Sequence, residues 1–119
     1  MDLEIIRNHC LKKKGVTEEF PFGEDNPVYK VIGKVFLLAS LSYPNSINLK
    51  CDPEKAIDLR ERYLCVTPGY HMNKTHWNTI VLDGSVPNKE ILKWIDDSYD
   101  LVERGLKKSD KARLNLNSG

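Results

Sequence analysis

Residues 68–79, PGYHMNKTHWNT, gather two histidines, two asparagines, two threonines, a lysine, a tyrosine and a tryptophan. Such a segment could hold a metal, carry a catalytic group, grip a polymer, or simply form an elaborate turn. His71 and His76 stand at a spacing open to a pair of loop-borne metal ligands, but a structural zinc site needs further soft ligands. Only the scattered Cys10, Cys51, Cys65 and His9 could supply them, and no Cys-x-x-Cys pair exists. The expectation is therefore that each imidazole bonds to backbone, with no metal and no cofactor held. A Cys–His nucleophile could be drawn from Cys51 or Cys65 with His71 or His76. It would need an electropositive, partly open setting, and a buried free cysteine reads the same in sequence. Glu18-Glu19 and Asp96-Asp97 are adjacent, so their side chains diverge on a strand or a helix and make poor acid–base pairs. The glycine-rich phosphate loops and the G-x-S-x-G elbow are absent. No catalytic residue is assigned.

The composition narrows the rest. The chain has 119 residues, 40% hydrophobic and 29% charged, the profile of one globular domain. Lys plus Arg is 18 against 17 for Asp plus Glu, a formal net charge of +1, so any basic surface must come from local segregation of charge. Three cysteines without a paired motif suit reduced thiols, and no apolar run reaches the ~18 residues of a membrane span. A cytoplasmic protein with no membrane partner is expected.

The elements that must position the 68–79 segment follow from periodicity. Residues 2–13 read as a helix capped by Asp2, with Leu3, Ile6, Cys10 and Leu11 on one face and Gly15 ending it. The lysine run 12–14 has a structural reading as cations at a helix end. TEEFPF (17–22) reads as an edge strand, while VYKVI (28–32) and VFLLASL (35–41) flank Gly33-Lys34 as a hairpin. SINLKC (46–51) alternates like a half-buried strand. Asp52-Pro53 opens a second helix running to about Tyr63, with Ala56, Ile57, Leu59 and Tyr63 inward. NTIVLDG (78–84) is a further strand. A long helix spans 88–106, with Ile91, Leu92, Ile95, Tyr99, Val102 and Leu106 on one stripe. The expected fold is a single α+β domain over 1–106, an antiparallel sheet flanked by helices, followed by a basic, flexible tail at 107–119.

The succession GVTEEFPFG, VYKVIGKVFLLASL, INLKCDPEKAIDLRERY, VTPGYHMNKTHWNTIVLDGSVP and LKWIDDSYDLV closely resembles the MmcQ/YjbR family of small bacterial proteins. The resemblance runs from about residue 3 to 106, and its most specific pieces are NLKCDPE and TPGYHMNKTHWNT. It implies a CyaY-like (frataxin-like) α+β arrangement and a DNA-binding label attached to a "double wing" of β-hairpins, with no enzymatic activity attached. Iron handling is not implied, since the first helix opposes Asp2 and Glu4 with Arg7 and a lysine run.

A wing of this kind would contact phosphates with Lys, Arg, Asn and Thr and could stack an aromatic ring. Within the loop Lys74 offers charge, Asn73, Thr75 and Asn78 offer hydrogen bonds, and Tyr70, His71, His76 and Trp77 offer π faces or donors. Lys34 at the hairpin, beside Lys30, and Lys50 on an exposed strand position add charge. About four to six phosphate contacts would give weak, steeply salt-dependent binding. No helix gathers several Arg, Asn or Gln on one face, so base-specific readout is not expected. The competing reading keeps the loop structural: Pro68-Gly69 turns the chain, Asn73 and Asn78 satisfy backbone, and Trp77 and Tyr70 plug the core edge. Two further functions stay open, a protein- or small-molecule site in the groove beside 68–79, and an enzyme built on His71 or His76.

Overall fold

A computed structural model describes residues 1–69 and 73–116. Helix α1 (Leu3–Leu11) starts where the Asp2 carboxylate accepts a hydrogen bond from the Glu4 amide at 2.7 Å. Ile6 and Cys10 are buried, and Leu11 stays on the surface. Beyond the helix, Gly15 takes φ +72°, and a Cβ there would stand 2.6 Å from the Leu114 side chain. Only glycine fits both the dihedral and the contact.

Strands β1 (Val16–Glu19), β2 (Val28–Val31), β3 (Lys34–Ser40) and β4 (Ser46–Lys50) form the expected antiparallel meander. The β2–β3 turn sits one residue earlier than the sequence suggests. Val31 pairs with Lys34, and the turn residues are Ile32 at φ +44° and Gly33 at φ +81°. Two successive positive φ values match the twist of a two-residue hairpin, so Lys34 becomes the first residue of β3. In the same ladder Tyr29 faces Leu37 and Lys30 faces Val35, leaving Phe36 as the extra residue of a bulge. Phe36 and Leu37 are both fully buried, as a bulge allows.

Strand β4 is not half-exposed. Ile47, Asn48 and Leu49 are all buried, because β6 (Trp77–Val81) pairs along its other edge and the Thr79 hydroxyl donates to Asn48 Oδ1 at 2.5 Å. A buried amide tolerates that position because it is bonded. Strand β5 (Val66–Pro68), which periodicity does not reveal, lies outside β6, giving the order β1-β2-β3-β4-β6-β5. Its three residues and terminal proline suit a sheet edge.

Helix α2 (Pro53–Arg62) opens at Asp52-Pro53 and buries Ala56 and Leu59, but Ile57 is 53% exposed and not inward. Helix α3 (Asn88–Arg104) packs on β3 and β4 through Ile91, Ile95 and Val102, joined by Trp94 and Ser98, which lie outside the expected stripe. The Ser98 hydroxyl donates to Phe36 O at 2.6 Å and accepts from the Lys50 amide at 2.9 Å, pinning the helix across two strands. Where a flexible tail is expected, residues form helix α4 (Lys108–Leu116), with Leu114 buried against the core. The α+β arrangement of one antiparallel sheet flanked by helices holds. None of the helices among the described residues is long and apolar enough to cross a membrane.

The ladder registers define two ends of this sheet. One carries Gly15, the Ile32-Gly33 turn, Lys34, Lys50 and the chain between β5 and β6. The other carries Phe20, Pro27, Leu41, Asn45 and Leu82.

Candidate nucleic-acid interface

The β5–β6 connection is built by its own polar groups. The Gly69 amide donates to Trp77 O at 2.8 Å, and the Trp77 and His76 amides donate to Asn73 O at 2.9 and 3.2 Å. Asn73 Oδ1 accepts from the Thr75 amide at 2.8 Å, a local asparagine turn. The Cys51 amide donates to His76 O at 2.7 Å and ties the loop to the end of β4. Beneath it, Arg60 reaches up from α2: its Nε donates to Asn78 Oδ1 at 2.7 Å, and its Nη2 donates to the carbonyls of Lys74 and Trp77. Asn78 Nδ2 donates in turn to Ala56 O at 3.2 Å.

This network sorts the candidate residues. Asn78 is 1% exposed and Trp77 is 8% exposed, so neither presents a surface to a polymer. The reason is register: Asn78 sits opposite Leu49, on the sheet face that α2 covers, where its amide ties β6 to α2. Asn73 is exposed, but its Oδ1 is engaged in the turn, and His76 is half-buried. Lys74, Thr75 and Lys34 are exposed, and Lys50, opposite Trp77, is half-buried. Tyr70 and His71 lie outside the described residues. Arg60, the hub of the loop, was not visible in sequence as a functional or structural residue. Its one signal is that it follows the inward-facing Ala56 by a single helical turn.

Charge at this end is uneven. Lys13 pairs with Asp96 at 2.5 Å, Lys30 with Glu19 at 3.1 Å, Lys55 with Asp97 at 3.5 Å, and Arg113 with Asp110 at 3.7 Å. Among the described residues, Lys34, Lys50 and Lys74 take part in no ion pair, and neither do Lys107, Lys108 and Lys111 around α4. Lys34 begins β3, Lys50 ends β4 and Lys74 precedes β6, three neighbouring strands that span roughly 10 Å at ordinary sheet spacing. Leu114 touching Gly15 sets α4 beside the same turn. The net charge of +1 thus conceals several ammonium groups that make no ion pair among the described residues.

The other chemistries find little here. Burial pushes the Cys10 thiol up to about 12 and raises the Cys51 thiol as well, so neither is a ready thiolate. Among the described residues, no three His, Cys, Asp or Glu side chains converge as a metal site. The cavity beside the loop, between Leu49, Lys50, Lys55, Asn78 and Trp94, measures about 20 Å³, room for about one water.

Comparison with known proteins bears on the whole chain. The family model described as YjbR matches residues 11–101. The chain is 40% identical over 96 residues to the Escherichia coli O157:H7 protein YbdF, covering 80% of this chain and 79% of that one. It is 31% identical over 100 residues to YjbR of Escherichia coli K12, covering 83% and 85%. Both relatives carry the name uncharacterized protein. A crystal structure of a Deinococcus radiodurans protein with the DUF419 domain superposes with TM-score 0.88 at 32% identity, covering 95% of this chain and 87% of that one.

Proposed function

The chain belongs to the YjbR family, and from that premise we propose that it is a nonenzymatic binding module that holds DNA weakly and without reading base sequence. The observation that carries this is that Lys34, Lys50 and Lys74, all at one sheet end, have no carboxylate partner among the described residues. Phosphate contact needs cations free of internal pairs, and the three meet that requirement while most of the loop's hydrogen-bonding groups do not. Lys107, Lys108 and Lys111 add cations in and just before α4, whose Leu114 lies against Gly15 at the same sheet end. Thr75 adds an exposed hydroxyl donor. Trp77 and Asn78 serve the interface indirectly, by holding the loop that carries Lys74.

Titration of a fluorescent DNA duplex at low and at moderate salt tests this. With about four to six phosphates engaged, affinity should fall with a log–log salt slope of about −4 to −5. Unrelated duplexes should bind alike. Absence of binding at micromolar protein and low salt sinks the proposal.

A further inference from the structure

An apolar-walled cleft lies at the opposite end of the sheet, away from Lys34, Lys50 and Lys74. It measures about 450 Å³ and opens between α1 and the strand ends, a size common for small-molecule sites. Leu3 and Ile6 of α1 form one wall, Ala39 and Pro27 the floor, and Phe20 and Leu41 the mouth. Phe20 is 48% exposed and Leu41 41% exposed, so both offer uncovered apolar surface.

Three charged side chains and one hydroxyl line the same cleft. Glu18 Oε2 accepts from the Tyr29 hydroxyl at 2.7 Å and from Arg7 Nε at 2.9 Å. Glu4 lines the cleft one helical turn before Arg7 and makes no ion pair among the described residues. Burial pushes the Glu18 carboxyl up, but the bonds from Tyr29 and Arg7 outweigh it and hold the group below the usual range, ionised at neutral pH. Two carboxylates against one guanidinium leave the lining with one net negative charge. Asp2, Glu24 and Asp25, all exposed, add to that sign at the same end.

We infer that this cleft binds a small organic monocation, a primary ammonium attached to an aromatic or branched apolar body. The ammonium sits between Glu4 and Glu18, and the body covers Leu3, Phe20 and Leu41. An apolar body alone would leave the carboxylates uncompensated, and an anion would meet net repulsion. The Tyr29–Glu18–Arg7 bonds hold the carboxylate in place before the ligand arrives, which reduces the ordering cost of binding.

The probes are phenylbutylamine, phenylbutanol and phenylbutyrate, which share one apolar body and differ in charge. Binding is followed by amide NMR shifts and by thermal stabilisation of the full chain. The amine should shift Ile6, Tyr29 and Ala39 and bind about tenfold more tightly than the carboxylate. Glu18→Gln should weaken the amine about tenfold. Leu41→Lys, at the exposed mouth, brings the lining to neutral and should reduce the amine's advantage over the carboxylate to within about twofold. The inference is overturned if the carboxylate binds the parent as well as the amine, if Leu41→Lys leaves the amine's advantage intact, or if millimolar amine shifts none of the cleft amides.

Discussion

At one end of the sheet Arg60, Asn73 and Asn78 direct their hydrogen bonds into the protein, while at the other Arg7, Glu18 and Tyr29 bond to one another along the wall of an open cleft. The first end has the denser polar sequence, yet the cavity beside its loop measures about 20 Å³ against about 450 Å³ for the cleft at the second. Density of polar residues therefore marks where backbone needs satisfying, and not where a ligand fits. What the loop end does offer a ligand is charge, since Lys34, Lys50 and Lys74 make no ion pair among the described residues. The two ends differ in sign as well, ammonium groups at the first and carboxylates at the second.

The sharpest way to break this contrast is at Asn78. Asn78→Ala leaves the Ala56 carbonyl and the Arg60 guanidinium without their buried partner, which should cost about 3 kcal/mol. Urea unfolding would read this as a lower midpoint at unchanged m-value. A loss under ~0.5 kcal/mol would mean that the network is ornamental and its side chains free for other uses. Gly69→Ala comes next. Its Cβ would stand 2.9 Å from Trp77 Cβ and 3.1 Å from Trp77 O, so β5 must part from β6 at a cost of about 2 kcal/mol. Thermal unfolding should show it, with loosened amide protection at the start of β6.

A smaller effect concerns the cations that are paired. Asp96 accepts from Lys13 at 2.5 Å and from His9 at 2.7 Å, and it joins α1 to α3. Burial raises its carboxyl, yet these two bonds prevail and keep it below the usual range. A carboxyl depressed in the folded state stabilises above its unfolded value, about 3.9, and that contribution disappears as pH falls through the depressed value. Because the carboxylate is 44% exposed, Asp96→Asn should cost only about 0.5–1 kcal/mol at neutral pH. The gap between the two proteins should close below about pH 4. A gap that persists at pH 2 would assign the loss to packing. Smallest of all, Lys34→Ala with Lys74→Ala should leave unfolding within ~0.5 kcal/mol of the parent, because both are exposed and unpaired. The loop would then divide cleanly into residues that hold it and residues that it presents.

Sequence periodicity revealed the meander, β6 and three helices because their apolar spacing is regular. It missed β5, which is too short to carry a period and ends in Pro68. It placed the β2–β3 turn one residue late, since Gly33 accepts positive φ readily and Ile32 gives no hint of doing so. The α4 region looked like a solvated tail because Lys107, Lys108, Lys111 and Arg113 stand against one acid, Asp110, and only Leu114 reaching Gly15 reveals the packing. At the candidate site, residue types identified Lys34 and Lys74 as surface charge, but Lys50, expected on an exposed strand position, is half-buried. They could not separate Asn73 from Asn78 or expose Trp77 as buried, because that depends on strand register. The cleft at the far end was illegible for another reason: Glu4, Glu18, Tyr29 and Leu41 come from α1, β1, β2 and the chain just after β3, with no common motif.

The central claim is that attraction for DNA resides in the unpaired lysines and not in the hydrogen-bonded loop. Its most direct test compares the salt dependence of duplex binding for the parent and for the combined variant Lys34→Ala, Lys50→Ala and Lys74→Ala, with folding verified by thermal unfolding. Removal of three phosphate contacts should flatten the log–log slope by about 2.7 and weaken binding equally on unrelated duplexes. A folded variant whose slope and affinity match those of the parent would contradict the account.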